Sequence, residues 1–125
     1  MTTSSNENLK LTALVAGADL SAKQWHAVKL NSTGVVVLAT ADTDKAIGIL
    51  INEPTSGQPC EIVALGETKA AMAATVAVGD SLTVNSTSQL KTTTTAGKKI
   101  LAIALEANTT AGHRRRVLIV GQNNL

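Results

Sequence analysis

The chain has no phenylalanine, no tyrosine and a single tryptophan, Trp25, among 125 residues. A core without aromatic rings must be built from Val, Ile, Leu and Ala. These side chains fill little volume, so layers must lie close together or the chain must gain burial by association. The same lack removes the stacking platforms that hold single-stranded nucleic acids. A charge excess of one sign is also missing. Eleven basic residues against nine acidic ones leave a net charge of +2, too balanced for a nucleic-acid surface. Cys60 stands alone, so no internal disulfide exists, and with His26 and His113 far away in sequence it makes no zinc site. No apolar run approaches the ~18 residues of a membrane helix. The opening "MTTSSNENLKL" has neither the basic nor the apolar region of a secretory signal. Neither a nucleic acid nor a membrane is therefore expected as a partner. Without an export route, the acceptor-like tripeptides at Asn31, Asn85 and Asn108 are expected to be unmodified.

What is present is alanine and threonine, 19 and 17 residues respectively. β-branched threonine suits a pleated surface, so the composition favours strands. A shift of 54 residues lays Asn31-Ser32-Thr33 on Asn85-Ser86-Thr87, Thr40 on Thr94, Lys45 on Lys99 and Ile49 on Ile103. After the extra residue Ala111, Gly57 falls on Gly112 and Gly66 on Gly121. Such a repeat describes two equivalent half-units, neither able to bury its apolar face alone. The expected fold is all-β: a small barrel or sandwich of two tandem half-units of about 54 residues. Residues 1–11 are expected to form a flexible N-terminal arm and 12–125 a single β-domain, with pseudo-repeats 14–66 and 68–121.

The pattern places strands at Trp25–Leu30, Val35–Ala39, Ala46–Ile51 and Gln58–Leu65. In the second half it places them at Ser81–Val84, Gln89–Thr93, Lys99–Glu106 and Arg115–Val120. The repeated Asn-Ser-Thr reads as a turn used once per half, since Asn and Ser side chains hydrogen-bond the local backbone. Thr68–Val78 is rich in helix-favouring alanine but is expected to be extended, as its counterpart is not helical.

No catalytic set emerges. Gly79-Asp80-Ser81-Leu82 carries the name-giving motif of a serine esterase family. A nucleophilic Ser81 needs a histidine base and an acid that orients it, and Thr110 stands where the acid before His113 belongs. Ala96-Gly97-Lys98-Lys99 fails as a phosphate loop, with Thr92 in place of the first glycine and Lys99 in place of Ser or Thr. Asp42 and Asp44 read as solvated turn residues. Neither a cofactor nor a metal is implied. The densest charge is "GHRRRV", Gly112 to Val117. It reads as an edge strand guarded by charge, or as a contact for an acidic partner.

The order of segments from "KAIGILINEPTSGQPCEIVALG" through "VGDSL" to "KKILAIALEANTTAGHRRRVLIVG" resembles small head decoration (cement) proteins of tailed bacteriophages. The shared pattern covers residues 12 to 121. It consists of an Ala-Ile-Gly-Ile strand, a Gly-closed loop, a Val-x-x-Gly-Asp-x-Leu turn, a polar hairpin and a final apolar pair. The resemblance implies a non-enzymatic homotrimer on the outer capsid surface of the virion, made in the host cytoplasm. It would stabilise the shell by clamping neighbouring major capsid protein subunits. The alternative is a host- or carbohydrate-binding β-module of a phage fibre, against which the scarcity of aromatics argues. The same scarcity departs from the family pattern and leaves the anchors to Trp25 and aliphatic residues. The candidate interface residues are Leu9, Leu11, Trp25, Arg114, Arg115 and Arg116.

Overall fold

A computed structural model describes residues 8–124. They form nine strands and no helix: β1 Asn8–Leu11, β2 Ala27–Leu30, β3 Val36–Leu38, β4 Ala46–Leu50, β5 Ile62–Ala71, β6 Ser81–Val84, β7 Leu90–Thr92, β8 Lys99–Ala104 and β9 Arg114–Asn124. All pairings between named strands are antiparallel. The sheet runs β3-β2-β4-β5-β9-β8-β6-β7, with β1 on β5. The order is a palindrome of the repeat, because β2 to β5 and β6 to β9 occupy matching places about the central β5–β9 pair.

The registers repeat with the order. Val28, Lys29 and Leu30 pair with Leu38, Val37 and Val36. Leu82, Thr83 and Val84 pair with Thr92, Lys91 and Leu90, each 54 residues later. The loops match as well. Ala16 N–H donates to Gln58 O and Ala16 O accepts from Gly57 N–H; Met72 N–H donates to His113 O and Met72 O accepts from Gly112 N–H. Leu20 N–H reaches Pro54 O, as Val76 N–H reaches Asn108 O. The structure thus equates Ala16 with Met72, an offset two residues larger than in the strands. The extra residues are Ser21 and Ala22, so the frames expected at 14 and 68 need that adjustment.

The Asn-Ser-Thr turns are equivalent atom for atom. Asn31 Oδ1 accepts from Thr33 N, Thr33 Oγ1 and Val35 N at 2.9, 2.8 and 3.3 Å. Asn85 Oδ1 accepts from Thr87 N, Thr87 Oγ1 and Gln89 N at 3.0, 3.0 and 2.9 Å. One side-chain oxygen thereby organises each hairpin.

The core is light, as the composition requires. One cluster joins both halves through small residues such as Ala27, Ala46, Ala70, Ala102 and Ala104 around Ile49, Leu82, Leu90 and Ile119. A second cluster lies within the first half, where Ala16 and Leu20 cover Val28, Val36, Leu50, Cys60 and Ile62. The halves are also bound through the loop after β3. Asp42 pairs with Lys98 at 3.3 Å, and its carbonyl accepts from Lys99 N at 2.9 Å. Asp44 caps Thr40 and Ala41 and pairs with Lys29 at 3.1 Å. These aspartates, expected only to be solvated, fasten loops.

Three further expectations change. Residues 8–11 were placed in the arm but form β1, whose Leu9 and Leu11 lie opposite Leu65 and Ile62; residues 1–7 lie outside the described residues. β9 is no edge strand: it lies between β5 and β8, so edge protection does not explain its arginines. The strand expected from Gln58 starts at Ile62, because Pro59 lacks an N–H and Cys60 N–H bonds to Leu14 O instead.

Candidate functional site

Trp25 lies in the loop between Leu20 and β2, held on three sides. Its N–H donates to Leu50 O at 2.6 Å, its carbonyl accepts from Ala71 N at 2.9 Å, and Gln24 Nε2 bonds Ile51 O at 2.9 Å. This frame places Trp25 at φ 74°, in the left-handed region that a bulky residue rarely occupies. The equivalent residue in the second half is Gly79, at φ 89°. The one aromatic side chain therefore stands where the repeat uses glycine.

The indole is half-buried in an open groove of about 310 Å³. Its apolar lining is Trp25, Ile51 and Val63, and its polar lining comes from Asn8 and Lys10 of β1, Glu67, Thr68 and Lys69 of β5, and Arg116 of β9. Asn8 Nδ2 donates to Glu67 O at 2.8 Å, which fixes β1 beside the groove. Arg116 is held from both sides. Its Nε meets Glu106 Oε1 at 2.8 Å and its Nη1 meets Glu67 Oε2 at 3.6 Å. The Arg116 hydrogen bonds hold the Glu106 carboxyl below its ordinary range.

The candidate residues separate. Trp25 and Arg116 share the groove. Arg114 lines a smaller neighbouring hollow with Ser21, Ala22, Gln24 and Glu53. Arg115 points the other way, within 3.4 Å of His113 Nδ1. Leu9 is 57% exposed, while Leu11 packs against the first-half core. Lys10, Lys69 and Glu67 were not singled out in the sequence. Lys10 has a signal there, the alternation Asn-Leu-Lys-Leu that makes β1 a strand. Lys69 and Glu67 become visible only through the pairing of β5 with β9.

The esterase-like motif is structural. Asp80 Oδ2 accepts from Ala77 N and Thr92 Oγ1 at 2.9 and 2.8 Å, and those bonds lower its pKa. Ser81 sits in β6 opposite Ile103, and no hydrogen bond joins it to a histidine among the described residues. Cys60 is fully buried, and burial pushes its thiol pKa up, away from nucleophilic chemistry. Among the described residues no cluster of His, Cys, Asp or Glu is arranged to hold a metal.

The fold is similar to the N base of head fiber gp8.5 in bacteriophage phi29. The TM-score is 0.65 at 15% sequence identity, over 92% of this chain and 97% of that one. At this identity the likeness concerns the fold. No protein-family model matches the chain, and no curated protein matches it.

Proposed function

We propose that the protein is a structural component of a bacteriophage virion, bound to the outer capsid surface, where it stabilises the shell by clamping neighbouring major capsid subunits. The observation that carries this reading is the fold likeness to a phage head fiber base across nearly the full length of both chains. The chemistry agrees with it. The esterase-like serine has no triad and the buried thiol is inert, while the most distinctive surface feature is a groove with an aromatic side chain and a basic rim. A homotrimer is the assembly we propose from the resemblance to decoration proteins; the alanine-rich core supports association as such, since it gains stability from further buried area.

A second reading has its own support, because the similar structure is the base of a fiber. On that reading the domain carries or anchors a host-binding module. A sugar-binding face on this domain itself is disfavoured, as Trp25 is its one aromatic ring.

Co-sedimentation with phage shells that lack the protein tests the first reading. Saturable binding that raises the shell's resistance to heat is expected. Absence of binding to shells overturns it, and binding without any gain in shell stability favours the fiber base.

A further inference from the structure

We infer that the Trp25 groove is the contact site for a short acidic and apolar segment of the partner protein, a reading that rests on the capsid-binding function above. The groove's charge is unbalanced. Lys10, Lys69 and Arg116 meet two carboxylates, Glu67 and Glu106, and both of these engage Arg116. Lys10 and Lys69 make no ion pair among the described residues. Lys69 and Arg116 are also direct cross-strand partners in the β5–β9 ladder. Glu67 and Glu106 offset the Arg116 side of that like-charged pair, and a carboxylate arriving beside Lys69 and Lys10 supplies the partner these two lack. The floor formed by Trp25, Ile51 and Val63 suits an aliphatic side chain beside that carboxylate.

The repeat supplies an internal comparison. In the second half the counterparts of Trp25, Ile51 and Val63 are Gly79, Leu105 and Leu118. Leu105 and Leu118 are 41% and 38% exposed and no aromatic stands over them. The first half alone carries Trp25, in a left-handed backbone conformation that is strained for a bulky residue. Strain kept at one of two equivalent positions points to a task for that side chain. Aromatic and arginine anchors in a pocket are the side chains that dominate binding energy at interfaces.

The test uses the full chain and two capped peptides of six residues, one alternating Asp and Leu, the other alternating Lys and Leu. Trp25 is the sole fluorophore of its kind, so its emission reports occupancy directly. The acidic peptide is expected to shift that emission to the blue, with an affinity that falls as salt rises, and the basic peptide to leave it unchanged. The Lys10→Glu/Lys69→Glu double variant should bind the acidic peptide about tenfold or more weakly. Trp25→Gly, read by calorimetry, should keep the fold, as Gly79 does in the equivalent place, and lose the peptide. An equal response to both peptides, or none to either, overturns the inference. So does loss of self-association in the double variant, which would show that a second copy fills the groove. Shells separate the two readings. If the wild type binds shells and the double variant binds equally well, the groove proposal falls and the capsid function stands. If the wild type binds no shell, the function falls, and the peptide titration alone decides the groove.

Discussion

Trp25 and Ser88 adopt positive φ angles of 74° and 65°, a conformation that places Cβ against the following carbonyl oxygen and costs an L-residue about 1–2 kcal/mol. Ser88 stands in the second Asn-Ser-Thr turn where the first has Gly34, at φ 82°. Its hydroxyl is buried with no hydrogen-bond partner among the described residues, which adds a desolvation cost. Glycine at this position removes both penalties and adds only the greater freedom of the unfolded chain. Ser88→Gly is therefore expected to stabilise the protein by about 0.5–1 kcal/mol, measured as a rise in the urea midpoint at constant slope. A fall in the midpoint would show that the Ser88 side chain makes a contribution its surroundings do not reveal. Nothing in the sequence marks these two residues as strained. Serine and tryptophan are both poor markers of a left-handed site, and only the alignment of Trp25 with Gly79 and of Ser88 with Gly34 gives a hint.

At the scale of elements, the hairpins were the most legible part of the chain. Val35 to Ala39 and Gln89 to Thr93 flank turns whose chemistry is written in Asn-Ser-Thr. Asn31→Ala and Asn85→Ala are each expected to cost about 1–2 kcal/mol, because each removes the single oxygen that three donors share. Similar losses in the two variants, measured by thermal unfolding, would show that the turns are energetic as well as geometric equivalents. A loss in one alone would limit the equivalence to shape. β1 was missed for a physical reason. Four residues with two leucines are too short a pattern to stand out beside a polar neighbourhood, and β1 exists because β5 offers a free stretch beyond the end of its pairing with β9. Of the two readings of the β9 arginines, edge protection fails for a related reason. Strand order is a long-range property, and "GHRRRV" carries no mark of the β5 partner that encloses it. The groove was half legible: Trp25 and Arg116 stand out by type, whereas Lys10 and Lys69 join them only through pairing.

For the whole molecule, stability rests on carboxylates that hold loops as well as on the alanine-rich core. For Asp44, burial alone would raise the pKa, but the Thr40 and Ala41 N–H groups and Lys29 bring it below its ordinary 3.8. Hydrogen bonds from Ala77 and Thr92 lower Asp80, those from Ser21 lower Asp19, and those from Arg116 lower Glu106. A carboxylate with a depressed pKa binds protons less readily folded than unfolded. Its contribution to stability is complete above the ordinary value and is lost as pH falls through the folded one. The windows open at 3.8 for the aspartates and 4.5 for Glu106. As carboxylates neutralise, the eleven Lys and Arg charges lose their counterparts and the net charge rises above +2, so self-repulsion adds to the loss. The melting temperature is thus expected to be flat from neutral pH down to about 5 and to fall steeply below about 4. Asp44→Asn/Asp80→Asn should melt lower than the wild type at neutral pH and lose less on acidification. A melting temperature unchanged to about pH 2 would mean that these aspartates are no better placed in the fold than in the unfolded chain. It would leave the hydrophobic contact between the halves to hold them together without help from the loops around Asp44 and Asp80.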